Sequence, residues 1–554
     1  MVKLKAEDDV MYFLKLTRRA EMKRIVYGLT ALSVLSLQGN GNSSDHYATT
    51  SKTYLAVPPN FQSVQPELIS GFRHDRTHAR EEGHQGAIQF VLFGGKSFNS
   101  DDLARYFMPF GNVFMTAGEA LLTLDGSSNT DVLASDFNVI TVNGTNGTSP
   151  VFESTISFSP KQSTIGFGVH YRQSFHRNEE KERGFWVSAS TPLMRIRNTM
   201  GFQEQVITDG GGADPDLPFA VANMTQAFNQ SVWLYSKIDT GNQAKSKTAL
   251  GDIELKVGYE WLTHEPCHME TYVGLRVPTG NKGNNEYLFE PIVGYGKHFG
   301  LMWGGAAGVR IWGNENDDKK LRIEYAAHSE YQFRKEQIRS FDLKNKPWSR
   351  FLPVYVNLQQ AQEAQALAAT DETLATWMST PGINVFTKPL HVTPGYLYDM
   401  NSAVVFTACT FYGEVGYNLF ARVAENISLA SPWVPGPALK HLEGNGLTTT
   451  VRDITGNIVL ELATLNDPEA FGNNIQPIPV VNYSQAIIQE ADLDLASAST
   501  PAILTQTVYG VLGYVNDDRK FPLFFDVGVA ATFSKSSNAI VERWTLWGKL
   551  GVSF

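Results

Sequence analysis

The sequence predicts an all-β fold: one antiparallel transmembrane β-barrel of about 14 strands, with long outer loops carrying short helices. Three observations predict it. From about residue 151 onward, segments of 9–16 residues recur in which apolar and polar side chains alternate. Aromatics make up 12% of the chain and glycines number 47, while charged residues are only 18%, against about 25% in an ordinary soluble domain. The residues up to Phe554 form one more alternating strand. A sheet with one face in lipid has this composition.

The export signal comes first in chain order. Met22-Lys23-Arg24 is basic, Ile25 to Ser36 is a mostly apolar run, and Gln38 to Ser44 is small and polar. This order reads as a secretory signal peptide, so residues 1–42 are a start extension plus signal. Cysteine is absent from the cleavage region, which excludes lipid attachment there. No later segment reaches the 18–20 apolar residues of a spanning helix. Only Cys267 and Cys409 are present, which excludes a disulfide scaffold and leaves one disulfide open.

Residues 43–150 are mixed and read as an N-terminal segment, a candidate plug. Gly86–Gly95 is strand-like, Asp101–Phe107 helical, and 127–149 a loop rich in Asn, Gly, Thr and Ser. The barrel is expected over 151–554. In Ile253–Trp261, Ile253, Leu255, Val257, Tyr259 and Trp261 share one face, and Glu254, Lys256 and Glu260 the other, because side chains alternate across a strand. Leu321–Phe333, Phe411–Arg422, Met269–Val277 and Phe521–Phe533 repeat the pattern. Aromatics at the ends of the apolar faces (Tyr259 with Trp261, Tyr331 with Phe333) stand where membrane girdles sit.

Strands are expected near 151–159, 162–174, 183–195, 250–263, 268–278, 286–298, 301–313, 319–333, 337–345, 395–408, 411–424, 501–515, 520–534 and 541–554. Bacterial barrels have even strand numbers, short periplasmic turns and longer outer loops. Strand 337–345 is weak by pattern, but including it places 196–249, 346–394 and 425–500 together on the outer side and makes Arg334–Glu336 a periplasmic turn. Twelve or sixteen strands are the alternatives, since 86–96 and 112–124 could also pair. Gln359–Thr370 and Ser484–Ala496 read as loop helices.

The alternation assigns a lumen-lining set: Glu254, Lys256, Glu260, Arg276, Arg322, Glu324, His328, Glu330, Glu414, Asn418, Arg422, Asp526, Arg543 and Lys549. Both signs occur. A water-containing channel and a narrow barrel closed by internal salt bridges both require this. At the end of the chain, Phe554, Val552 and Leu550 lie at every second position. This resembles the terminal strand of outer-membrane barrel proteins and implies recognition by the barrel-assembly machinery.

Gly251–Leu262 (GDIELKVGYEWL), Gly274–Gly280 (GLRVPTG) and Pro291–Phe299 (PIVGYGKHF) carry a more specific resemblance. Gly251, Asp252, Leu255, Pro278, Thr279, Gly280, Gly294 and Gly296 match the outer-membrane channel family linked to phenol and hydrocarbon breakdown. That family is similar to the long-chain fatty acid transporters. The resemblance implies passive uptake of small, partly apolar molecules, while the long insertions at 346–394 and 425–500 depart from it.

Other constellations read as scaffold. His264-Glu265-Pro266-Cys267-His268 matches H-E-x-x-H, but that chemistry needs a helix and Pro266 would sit inside it. His74, His78 and His84 read as a solvated linker, and Asp209–Asp214 lacks the EF-hand pattern. No G-x-S-x-G elbow occurs, Phe90 stands where the first Gly of a phosphate loop would be, and His328 and Ser329 point to opposite faces. No enzyme activity, cofactor or metal is expected. The expected function is an outer-membrane channel or transporter for passive passage of small molecules. The alternative is a non-conducting surface or structural protein whose long loops bind a host or partner. The partners implied are outer-membrane lipid, the assembly machinery and a small-molecule solute. A net charge of −10 argues against nucleic acid. Homo-oligomerisation is left open, because lipid-facing surfaces look alike in monomers and trimers.

Overall fold

The computed structural model describes residues 51–554 apart from 74–84, 109–112, 118–131, 143–151, 179–182, 216–218, 264–265, 315–317, 358, 361–362, 364–378, 440–447, 453–457, 464–486, 517–520 and 535–539. The segment 1–42, the histidines at 74, 78 and 84, and most of 359–370 lie outside these residues.

Twelve strands close into an antiparallel barrel in which each strand pairs with its neighbours in sequence. They are β1 (Gly86–Ser97), β2 (Lys161–Asn178), β3 (Arg183–Thr199), β4 (Ile253–Leu262), β5 (Cys267–Val277), β6 (Gly300–Gly313), β7 (Lys319–Gln332), β8 (Gly395–Ala408), β9 (Phe411–Arg422), β10 (Ile503–Asn516), β11 (Leu523–Ser534) and β12 (Arg543–Ser553). Closure runs through β1, which pairs with β12 from Ala87↔Ser553 to Ser97↔Arg543 and with β2 on its other edge. A thirteenth strand, Lys245–Leu250, pairs only with the far end of β3. It is the continuation of β4 beyond an interruption at Gly251-Asp252.

The strand count corrects the expected 14, and β1 stands where a plug segment was expected. The alternating run of β1 has Ala87, Gln89, Val91 and Phe93 buried, with Phe90 and Leu92 exposed. Residues 153–157 belong instead to a four-stranded sheet with 113–117, 132–133 and 203–208. Lys335–Ser340 pairs with Thr387–Thr393, which also pairs with Asn426–Leu429. Residues 286–298 form no strand, because Phe289, Gly294, Gly296 and Lys297 take positive φ (59°, 81°, 65° and 70°), which breaks an extended run. Two of these corrections offset each other: losing both 286–298 and 337–345 keeps 200–252, 333–394 and 423–502 at one end. The short links 179–182, 263–266, 314–318, 409–410 and 517–522 lie at the other. Residues 334–336 therefore lie at the long-loop end. In 484–496, the described part holds 3₁₀ turns at Glu490–Asp492 and Leu495–Ala498.

The long loops build a cap with two apolar cores. One joins Phe107, Phe137, Phe228, Trp233, Trp348 and Phe351, and the other Phe341, Val354, Phe386, Trp433 and Leu493. Inside the barrel, aromatic rings lie flat on the wall where a neighbouring strand offers a glycine. A Cβ on Gly258 would stand 2.2 Å from the Trp186 ring, and one on Gly528 2.2 Å from the Trp547 ring. On the outer face Leu92, Val273 and Leu512 are 61%, 62% and 76% exposed.

Gly528→Val drives its side chain into Trp547, and overpacking of this kind costs about 1–3 kcal/mol. Heat-modifiable gel mobility of the folded barrel should be lost at a lower temperature in this variant. Gly548→Ala, where an added Cβ meets nothing within 4 Å, should leave it unchanged.

Candidate channel lumen

Residues 51–73 run through the barrel interior from the cap to the short-turn end. At the cap, Ser51 Oγ donates to Asp342 (2.7 Å), Thr53 Oγ1 to the Ser340 carbonyl (2.5 Å), and the Arg339 guanidinium stacks on Tyr54 at 3.5 Å. Below, the chain turns at Phe61 and Ser63, both with positive φ. Phe61 stacks on Phe93, their centroids 5.8 Å apart. Glu67 folds the turn back on itself, accepting from Asn60 Nδ2 (2.9 Å) and the Phe61 amide (2.8 Å). Pro66–Ile69 is a single helical turn.

Three groups of inward side chains hold this segment. Nearest the cap is Arg276, fully buried. Its guanidinium donates to Glu330 (2.6–3.0 Å), to Gln62 Oε1 (2.5 Å) and to Ser63 Oγ (3.3 Å), and lies 3.0 Å from Glu254. Glu254 in turn accepts from the Ser63 amide (2.9 Å) and pairs with Lys256 at 2.9 Å. His328 bridges Tyr272 (2.9 Å) and Glu330 (3.4 Å). In the middle, Asp399 accepts from Gln65 (2.9 Å) and Asn418 (2.6 Å), while Gln89 donates to the Leu68 carbonyl (2.7 Å). At the short-turn end, Glu414 takes the Gly71 amide (3.1 Å), Arg73 (3.3 Å) and Tyr509 (2.9 Å). Lys549 donates to the Ser70 carbonyl and sits 3.9 Å from Asp526. A buried charge needs such partners, because desolvation otherwise costs several kcal/mol per ion.

Of the fourteen residues expected to line the lumen, all but Glu324 are buried; the Glu324 side chain is 17% exposed and pairs with Arg322 at 2.9 Å. Arg422 and Arg543 donate to the Ala56 and Pro58 carbonyls of the inner segment. Glu260 belongs to a separate cluster with Arg172 (2.8 Å), Glu270 and Trp186, the Arg172 guanidinium lying 4.1 Å from the indole. Sequence reading missed Arg172, Gln89 and Asp399; it put Glu270 and Tyr272 on the polar face with Arg276 but left them out of the lumen-lining set. Asp399 was within reach, since the exposed Tyr396 and Tyr398 fix the outward parity of its strand. Between the segment and the wall is a cavity of about 130 Å³, lined by apolar Val64, Leu68 and Phe72 and by polar His170, Arg172 and Glu270. A groove on the outer face shares Tyr272 and Gly305 with it, and Ser329 opens into that groove, across the wall from His328.

The three separated motifs that carry the family resemblance meet at one carboxylate. Asp252 accepts from the Gly280 amide (3.0 Å) and the Tyr295 amide (2.8 Å), and Thr279 Oγ1 donates to the Gly251 carbonyl (2.5 Å). A Cβ at Gly280 would stand 2.2 Å from the Val293 carbonyl, and one at Gly294 2.7 Å from Asp252 itself. Asp252 thereby folds loop 278–299 over the barrel mouth. Cys267 and Cys409 lie at the opposite end and are not joined by a disulfide. Among the described residues, no group of three or more metal-ligating side chains is found.

No protein-family model matches the chain. No curated protein matches it. The chain is similar to an outer-membrane channel from Pseudomonas putida F1 (6% identity, 85% of this chain and 96% of that one, TM-score 0.36). It is also similar to a deletion mutant of the TodX monoaromatic hydrocarbon channel (9%, 93% and 98%, 0.30) and to a Pseudomonas aeruginosa FadL homologue (8%, 85% and 90%, 0.25).

Two titrating groups couple the cap to pH. His298 is pushed down to about 4 by burial; one ring nitrogen faces the Phe333 carbonyl (2.8 Å) and the other Gln337 Nε2 (2.9 Å). Burial alone would raise Glu425, but the Arg339 guanidinium at 2.6 Å outweighs it and holds the carboxyl at about 2. Both folded values lie below the unfolded ones of 6.5 and 4.5. Their contributions are therefore complete above those values and are lost as pH falls. Amide-exchange protection of Lys335–Ser340 should fall in two stages, from pH 6.5 to 4 and again toward 2. His298→Leu should remove the first stage only.

Proposed function

We propose that this chain is an outer-membrane channel through which small, partly apolar molecules pass passively, and that residues 51–73 are its resting plug. The observation that carries this reading is the inner segment itself. Besides the apolar packing of Phe61 and Leu68, it is held by side-chain hydrogen bonds and ion pairs to the wall, which can exchange for water, and it leaves a cavity beside it with a mixed apolar and charged lining. The outward apolar faces support membrane placement: strands of 10–18 residues reach or exceed the roughly 9–11 a tilted spanning strand needs. In this reading the short-turn end faces the periplasm and the cap faces outward. Phe554, whose ring stacks on Tyr171 and whose amide bonds the Gly86 carbonyl (2.9 Å), would serve with Val552 and Leu550 as the assembly signal.

The competing reading, a surface protein whose loops bind a partner, draws on the cap. It has its own cores and exposes Val434 (78%), Leu234 (60%) and Phe219 (58%). Planar-bilayer recording separates the two. The wild-type protein should show rare openings. The triple variant Gln62→Ala, Ser63→Ala, Arg73→Ala removes three anchors worth roughly 0.5–1.5 kcal/mol each or more, so the open fraction should rise at least about tenfold. Arg276→Gln should move the open channel toward cation preference. A triple variant that is folded by gel mobility and still silent would reject the channel and leave the surface protein.

A further inference from the structure

Outside the lumen, the wall carries an unusual sector. Strand register aligns three rows on the outer face of β1, β2, β3 and the strand Lys245–Leu250. The lowest row is Leu92–Phe167–Leu193–Leu250, with exposures of 61%, 44%, 51% and 40%. Above it runs Gly94–Ile165–Arg195–Thr248, and above that Lys96–Ser163–Arg197–Ser246. Lys161, paired with Thr199, tops the series. Lys96, Lys161, Arg195 and Arg197 are all exposed. Arg195 donates to Ser246 Oγ at 3.3 Å, and among the described residues none of the four cations pairs with a carboxylate. No carboxylate stands on these rows.

The surroundings show why this sector matters. Elsewhere on the same rim the outer face ends in aromatics: Phe299, Tyr331, Phe333 and Tyr396 cluster with centroids 4.9–5.9 Å apart. Rings at that height are the ordinary membrane-interface device. The basic sector begins where the apolar rows stop, and hydroxyls of Ser163, Ser246 and Thr248 lie among the cations.

We infer that Lys96, Lys161, Arg195 and Arg197 form a binding surface for the phosphates of an acylated, phosphorylated lipid of the outer leaflet. The acyl chains lie on the Leu92–Phe167–Leu193–Leu250 row. This rests on the membrane placement of the proposed channel. Guanidinium groups take phosphate oxygens in bidentate fashion. Arg195 and Arg197 stand two residues apart on one face, so their Cα atoms are roughly 6.6 Å apart along the strand, and each can hold its own oxygen or share one phosphate. A free phosphate would meet only open surface here. A lipid brings apolar contact as well, and this commits the site to a lipid source.

The test uses the folded full-length protein in detergent, with bound lipid counted by native mass spectrometry. The probes are diphosphoryl lipid A, its dephosphorylated form and inorganic phosphate. The diphosphoryl form should bind best, and excess inorganic phosphate should not displace it. Arg195→Gln/Arg197→Gln should weaken it roughly 30-fold, at about five- to sixfold per surface cation, and Lys335→Gln, in another sector, should not. Equal binding of the dephosphorylated lipid, or an unchanged double variant, overturns the inference. So does displacement by inorganic phosphate. Conductance of the same preparation keeps the two readings apart. A barrel that discriminates lipid phosphates and stays silent even as the folded Gln62→Ala, Ser63→Ala, Arg73→Ala variant defeats the channel alone, and a conducting barrel blind to them defeats this inference alone.

Discussion

Alternation along a strand fixes which side chains turn inward, and in a barrel of twelve strands the inward ones have little room. Every carboxylate and guanidinium that the pattern sends into the lumen must be neutralised there. The rest of the structure follows from this constraint. Arg276 sits among two glutamates and two side chains of the inner segment, and Glu414 among a backbone amide, an arginine and a tyrosine. The wall alone leaves polar atoms over. Residues 51–73 supply the missing partners, in the form of amides, carbonyls and short hydroxyl or amide side chains. The segment adds little formal charge of its own, which suits an element whose task is to complete the charge balance of the wall.

The same economy appears at the two ends. At the mouth, one carboxylate, Asp252, gathers amides from two turns and so converts three short motifs, far apart in sequence, into one folded loop. In the cap, Arg339 with Glu425 and Arg350 with Asp342 (2.6 Å) are buried pairs around which the first residues of the inner segment are tied. The cap and the segment are therefore tied together at that end, whereas below it the segment meets the wall through side-chain hydrogen bonds, ion pairs and the apolar packing of Phe61 and Leu68.

The barrel was legible in the sequence because period-two alternation is a direct consequence of which side each residue faces. Leu255 is 44% exposed and Glu254 1%, and their chemistry says so. What misled was local evidence for strands that tertiary context uses elsewhere. Residues 153–157 and 335–340 are extended but pair within the cap, and periodicity carries no mark of which sheet a strand joins. In 286–298 the glycines that looked like a barrel strand mark left-handed turns. β1 was readable as a strand from Gly86–Gly95, but its isolation from the other strands by 63 residues (98–160) hid its place. The lumen charges followed from parity. The segment that occupies the lumen did not, because its fit depends on contacts with residues several hundred positions away, such as Ser51 with Asp342 or Asn60 with Thr545.

Closure through β1 and β12 joins Ala87 to Ser553, a loop spanning nearly the whole described chain. Loop-closure entropy must be met before such a contact returns any free energy, so pairings of this reach form late and slowly. All other neighbouring barrel strands are joined by their own connections and can zip in order. Until the last ladder forms, β1 and β12 present bare backbone edges, and an open edge invites pairing with another chain. The inner segment is attached immediately before β1. It therefore reaches the interior while the wall is still open, and the step that seals the barrel also encloses its contents.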